Sequence, residues 1–297
     1  MVSAMLLASP LAQATTLSAG TAVEVGVADA DFDNLADTLV AGTVSTDTDS
    51  SLYEYSYEYS GDWDWASSAA AVNQDGWMYA TAGGDNTFKA ASHVQQSLVI
   101  ENDSGVDQSY SFDFTILQGS LSAYGENYDS NEFAAAGYYV SITLDGVSLF
   151  SSAALLQLNG SGASLQQYGT ELAGYTAGSD YFGWGPYSDT LDLGVFAAGE
   201  SFTLSYDILA VAAGVYAPEN DYNDEWCYGG EIEGEFSDGY CGGWSYSYAQ
   251  FGDPNGVSGS PIAGNVHGAP VSVPEPGIWL LMGTGLLGFA VARRRRS

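Results

Sequence analysis

Eight carboxylates crowd into residues 218–241, PENDYNDEWCYGGEIEGEFSDGYC: Glu219, Asp221, Asp224, Glu225, Glu231, Glu233, Glu235 and Asp238. Oxygen ligands at that density suit calcium, which takes about six to eight of them from carboxylates and carbonyls. Asp221, Asp224, Glu225 and Glu231 are the candidate ligands, and calcium is the one cofactor the composition suggests. A solvated acidic loop is an equal alternative. The same stretch holds both cysteines of the chain, Cys227 and Cys241. In an exported protein these pair, closing a loop of about 15 residues and adding roughly 3 kcal/mol. His93 and His267 do not stand at zinc-like spacing from them. A second acidic run, Asp29–Asn34, opens with D-x-D-x-D. Asn34 and Val40 occupy the places of the required Gly and Glu, so it reads as a polar turn.

Paired carboxylates also hydrolyse glycosides, yet no pair stands out among so many. No G-x-S-x-G, H-E-x-x-H, phosphate loop or dinucleotide fingerprint occurs. The body holds a single lysine, no arginine and two histidines, so proton shuttles and oxyanion stabilisers are scarce. An enzyme is not expected, a surface glycoside hydrolase being the third choice. Aromatic chemistry is better supplied. In LYEYSYEYS (Leu52–Ser60), Tyr53, Tyr55, Tyr57 and Tyr59 share one strand face, and Trp63 and Trp65 follow. Six such rings make a platform for sugars. The competing reading, and the favoured one, is that the tyrosines fill a core.

These groups need a scaffold, and composition restricts it. One lysine faces 37 carboxylates over residues 1–292, a formal charge of −36. Such a surface repels phosphate backbones, which excludes nucleic acid as a partner. The 21 Tyr, 12 Phe and seven Trp argue against a disordered acidic chain. Short alternating runs separated by Gly, Asn, Asp and Ser predict strands. Asp103-Ser104-Gly105 predicts a hairpin between Ser97–Asn102 and Gln108–Leu117, and Asp145-Gly146 predicts one within Tyr138–Phe150. Ser201–Gly214 and Gly242–Asp253 predict further strands, while Ala153–Leu158 suits one helical turn. The expected fold is mainly β: an antiparallel β-sandwich or jelly-roll-like ectodomain followed by one short C-terminal transmembrane helix.

Both ends of the chain address a membrane. Near the start, Met5–Leu7 are apolar, and Ala12-Gln13-Ala14 is the small-x-small pattern of a signal-peptidase site, with the cut between Ala14 and Thr15. No basic residue precedes this apolar core, which puts the true translation start upstream of Met1. At the far end, Gly277–Ala292 are 16 residues without a charge. As a helix they reach about 24 Å, short of a hydrocarbon core of about 30 Å. Trp279 suits one interface, and Arg293, Arg294, Arg295 and Arg296 hold the other on the cytoplasmic side. The division expected is a signal peptide over 1–14, an ectodomain over 15–256, a Gly/Pro/Ser-rich linker over 257–272 and a terminal unit over 273–297.

That terminal unit, Val273-Pro274-Glu275-Pro276 followed by an apolar span and an arginine cluster, resembles the PEP-CTERM sorting signal. The resemblance covers about 25 residues and implies handling rather than ectodomain chemistry. It implies export through the Sec machinery in a Gram-negative bacterium and transient anchoring in the inner membrane. It further implies processing by a membrane-embedded exosortase at Val273–Pro276, then release to the cell surface or extracellular matrix. Proteins of this kind are often associated with exopolysaccharide and biofilm. The expectation is a structural or adhesive surface protein, with a calcium-dependent carbohydrate-binding module as the alternative.

Overall fold

Extended backbone dominates the computed structural model, which describes residues 11–25, 43–47, 51–60, 64–73, 77–125, 132–216, 245–252 and 266–271. The first strands are β1 (Leu11–Val25), β2 (Thr43–Asp47), β3 (Ser51–Tyr59), β4 (Trp65–Asn73), β5 (Met78–Asp85) and β6 (Phe88–Glu101). There follow β7 (Gln108–Ile116), β8 (Gly119–Gly125), β9 (Phe133–Leu144), β10 (Val147–Asn159), β11 (Gly162–Gly169) and β12 (Gly174–Thr176). The last are β13 (Tyr181–Trp184), β14 (Tyr187–Phe196), β15 (Ser201–Val215), β16 (Ser245–Phe251) and β17 (Val266–Pro270). All pair antiparallel. Seven form sheet A in the order β11-β10-β9-β15-β6-β1-β2, and seven form sheet B as β12-β13-β8-β16-β5-β4-β3. Sheet C is β14-β7-β17.

Sheets B and C lie over the same face of sheet A. Tyr138 of β9 meets Trp184 of sheet B at 4.5 Å, and Phe150 of β10 meets Phe114 of sheet C at 4.9 Å between ring centroids. Sequential strands pair within a sheet, as in β3-β4-β5 and β9-β10-β11. In a jelly roll they would alternate between sheets, so that finer expectation fails. The Asp145-Gly146 hairpin forms as its sequence requires. Both residues adopt positive φ, 48° and 79°, the combination a two-residue type I′ turn demands. The turn at Asp103–Gly105 instead carries the chain from sheet A to sheet C, so β6 and β7 do not pair. Asn102, fully buried, holds this crossing by donating from Nδ2 to the carbonyls of Val106 (2.8 Å) and Phe196 (2.9 Å). Ala153–Leu158 is strand, within β10, because Ala154 and Leu156 alternate into the core.

The core has a wide half and a narrow half. In the wide half, rings fill the gap: Phe196 stacks on Phe202 at 4.1 Å, Tyr110 packs edge-on to Phe202 at 5.2 Å, and Trp184, Phe251 and Tyr138 form a second group. In the narrow half, alanine, serine and glycine face each other. Ser68 Oγ of sheet B donates to the Ala22 carbonyl of sheet A at 3.3 Å, and Ser247 Oγ reaches the Ala213 carbonyl at 3.0 Å. Thr21 and Ser56 hydroxyls meet across the same gap at 2.8 Å. Side chains this short bridge only sheets lying closer than the usual spacing of about 10 Å. The Phe88 ring fits there because Gly84 and Gly214 lie against it: a Cβ on Gly84 would come within 2.5 Å of the ring.

Two features bear on the ends of the chain. The ladder of β1 with β6 slips between Ala12 and Ala14 and is regular from there to Val25, so the expected cut before Thr15 falls near its start. Val266–Pro270, inside the stretch read as a linker, is strand β17, paired with β7 and anchored by buried Val266. The expected transmembrane helix lies outside the described residues. Among those described, no helix is long and apolar enough to cross a membrane.

Candidate functional site: an aromatic pavement on sheet B

Alternation along β3 divides its side chains cleanly, and the tyrosines take the outside. Tyr53, Tyr55, Tyr57 and Tyr59 are 51% to 65% exposed. This corrects the expectation that they fill the core. The reason is the narrow half of the sandwich. Inward positions on neighbouring β4 are Ala66, Ser68, Ala70 and Val72, and Ser56 of β3 already touches Thr21 of sheet A. Short side chains already fill the gap opposite β3, so its other face carries half-buried Leu52, Glu54 and Ser56, with Glu58 exposed at the strand's end.

The strand registers carry the aromatic face across the sheet. One row runs Tyr59, Trp65, Asp85, Tyr246, Tyr124. The next runs Tyr57, Ser67, Gly83, Tyr248, Ser122, Tyr181. A third runs Tyr55, Ala69, Thr81, Gln250, Ser120, Gly183, Tyr175. The fourth is Tyr53, Ala71, Tyr79, and Trp77 stacks on Tyr79 at 6.1 Å. Rings thus alternate with the smallest side chains. Ala71 and Thr81 are buried although they point outward, and the Tyr248 hydroxyl bonds Thr81. A Cβ on Gly83 would come within 2.4 Å of Tyr248, whose ring lies on that bare backbone. The surface is therefore a pavement rather than a row of standing rings. Along β3 it extends about 20 Å, six residues at about 3.4 Å each.

Hydrogen bonds fix the central tiles. Tyr248 bonds Tyr79 and Thr81, Tyr246 bonds Ser122, and Tyr246 and Tyr248 stack at 6.3 Å. Burial pushes the Tyr246 and Tyr248 hydroxyls above the ordinary tyrosine range, so both stay neutral donors near neutral pH. Asp85, half-buried among these rings, is raised by desolvation, partly offset by hydrogen bonds from the Asn86 backbone and the Trp65 side chain. It is the one carboxylate in the four rows. Rows so rich in rings and so poor in carboxylates, with Asp64 alone acting on Asp85 from beside them, are suited to stacking against uncharged rings.

Of the residues singled out in the sequence, Tyr53, Tyr55, Tyr57, Tyr59 and Trp65 come together here. Trp63 lies outside the described residues, as do Asp221, Asp224, Glu225, Glu231, Cys227, Cys241, Val273–Pro276, Trp279 and Arg293–Arg296. Ala14 and Thr15 lie in β1. Sequence reasoning missed Trp77, Tyr79, Tyr124, Tyr175, Tyr181, Tyr246 and Tyr248. The alternation in WSYSY, Trp244–Tyr248, is the same signal as in β3 and marks two of them. The rest join only through strand order. Elsewhere His93 Nε2 meets Asp207 at 2.9 Å and His267 Nε2 meets Asp113 at 3.1 Å. Among the described residues no three metal-binding side chains gather at one point.

By architecture this is an antiparallel β protein with an aromatic outer face. Residues 272–296 match the PEP-CTERM protein-sorting motif. The motif implies export, a transient membrane anchor, processing by exosortase at the membrane and sorting to the cell surface. No curated protein and no solved structure matches the chain.

Proposed function

We propose that the body is a non-catalytic adhesive component of the cell surface or extracellular matrix, held to uncharged stretches of exopolysaccharide by the pavement on sheet B. The observation that carries this is the outward row Tyr53–Tyr59, continued by Tyr79, Tyr246 and Tyr248. Exposing so much aromatic surface is costly for a soluble body unless a partner uses it. Polymer rings laid flat on tyrosine supply that partner, and hydroxyls of Tyr and Ser between the rings supply hydrogen bonds. The acidic body repels anionic polymers, which restricts the choice to neutral segments. In this reading the sorting motif delivers the protein to the matrix it binds, on the outside of a Gram-negative cell.

Affinity electrophoresis of the purified protein through gels containing the host's exopolysaccharide tests the reading. Wild type is retarded, and a Tyr55→Ser/Tyr57→Ser double variant, of unchanged melting temperature, migrates freely. Equal retardation of the two proteins would remove the pavement from the binding surface.

A further inference from the structure

A second exposed apolar feature lies at one end of the molecule. The exposed aliphatic side chains among the described residues are Val106, Val147, Leu149, Val195 and Val271, with Val106, Val147 and Val195 each more than half exposed. Scattered singly they would mean nothing. They are not scattered. Val271 N–H donates to the Asp107 carbonyl, next to Val106. Asn102 binds the carbonyls of both Val106 and Phe196, the neighbour of Val195. Glu200 and Gly199 close on Asn102 through backbone bonds of 2.9 and 2.7 Å. Asp145, in the hairpin before Val147, exchanges bonds with Thr203, which pairs with Val99 in β6. The β6–β7 crossing, the β9–β10 hairpin and the β14–β15 turn thus share one end.

The sorting signal leaves from that same end. β17 is zipped to β7 as far as Pro270, and the matched motif begins at residue 272. Between Val271 and the uncharged stretch beginning at Gly277 stand five residues, Ser272–Pro276, whose fully extended reach is about 17 Å. We infer that this end of the body is a lipid-docking surface, on which Val106, Val147, Leu149 and Val195 rest in the headgroup layer while the protein is anchored. The inference rests on the sorting motif's placing residues 277–292 in the membrane. Exposed Asp103, Asp107, Asp145 and Glu200 ring the apolar tips and are repelled by anionic lipid, so the surface fits zwitterionic headgroups. Docking is then weak in itself. The tether makes it effective by holding the end at about millimolar local concentration, and processing ends it.

Full-length protein in nanodiscs of zwitterionic lipid provides the test. A polarity-sensitive dye is placed at Val106→Cys or Val147→Cys, and at Ser161→Cys in the β10–β11 turn at the opposite end of β10. Wild type treated alike gives the background of the native cysteines. Headgroup-depth nitroxide lipids should quench dyes at 106 and 147 severalfold more than at 161. A Gly-Ser insert of about twelve residues after Val271, adding some 20 Å of reach, should leave most of that quenching. Combining the insert with Val106→Ser, Val147→Ser and Val195→Ser should abolish it, read from a dye at Asp145→Cys. Equal quenching at all sites, or quenching lost with the insert alone, would overturn the docking surface while leaving the anchor intact. Failure of the full-length chain to co-elute with nanodiscs would overturn both.

Discussion

The Tyr138 hydroxyl makes the interior of the sandwich measurable. It sits between sheets A and B, 3.1 Å from Ser152 Oγ, under Trp184 and Phe251. Burial raises it from 10.0 to about 12, with the Ser152 bond opposing the shift. The unfolded chain therefore releases this proton more readily than the folded one above pH 10. The stability Tyr138 contributes is intact below pH 10 and is lost as pH climbs toward 12. Linkage puts the loss at about 2 kcal/mol by pH 11.5. Tyr138→Phe removes the titration and the Ser152 bond, and leaves a buried hydroxyl without its partner, which costs about 1 kcal/mol at pH 8. The Tyr138→Phe variant thus begins less stable than wild type, draws level near pH 10.7 and ends about 1 kcal/mol more stable at pH 11.5. Urea unfolding of both proteins at matched pH, followed by tryptophan fluorescence, reads the difference. Alkaline effects shared by the two chains, including charge repulsion and the deeply buried Tyr206, cancel in it. A gap between variant and wild type that stays constant from pH 9 to 11.5 would show that Tyr138 is not buried as described.

Two further substitutions probe the scaffold. Asn102→Ala should cost about 2 kcal/mol in urea unfolding, because the buried Phe196 carbonyl loses its donor while the Val106 carbonyl keeps the Ser104 hydroxyl. Gly84→Ala, usually a mild change, should cost about 1–3 kcal/mol in the same assay, since its Cβ would lie 2.3 Å from the Trp65 carbonyl and 2.5 Å from the Phe88 ring.

Strand type and several boundaries were legible in the sequence because alternation and turn chemistry are local. Asp145-Gly146 could hardly do anything but turn, and β15 announces itself as one long alternating run. Alternation names two faces of a strand without saying which is inside, and β3 shows the consequence. Which face of LYEYSYEYS meets water is decided by how closely the sheets approach, and that approach is set by Ser68 and Ser247 reaching the carbonyls of Ala22 and Ala213 on the facing sheet. The Asp103–Gly105 turn failed as a hairpin for a similar reason. Its local chemistry is satisfied equally by a chain crossing between sheets, and the choice lies with Asn102 and its distant partner Phe196. The pavement beyond β3 was illegible because its rows are assembled from strands β5, β8, β12, β13 and β16, whose neighbours only the full topology supplies.

The place of β17 also sets a sequence of events in time. Sheet C has its third strand only when Val266–Pro270 is available to β7, a strand made some 150 residues earlier. Whatever part of the body folds first, the last strand of sheet C is supplied by the residues that directly precede the sorting signal. Completion of the fold and arrival of the signal are therefore nearly one event. A chain truncated short of residue 266 would lack both the closing strand and the address.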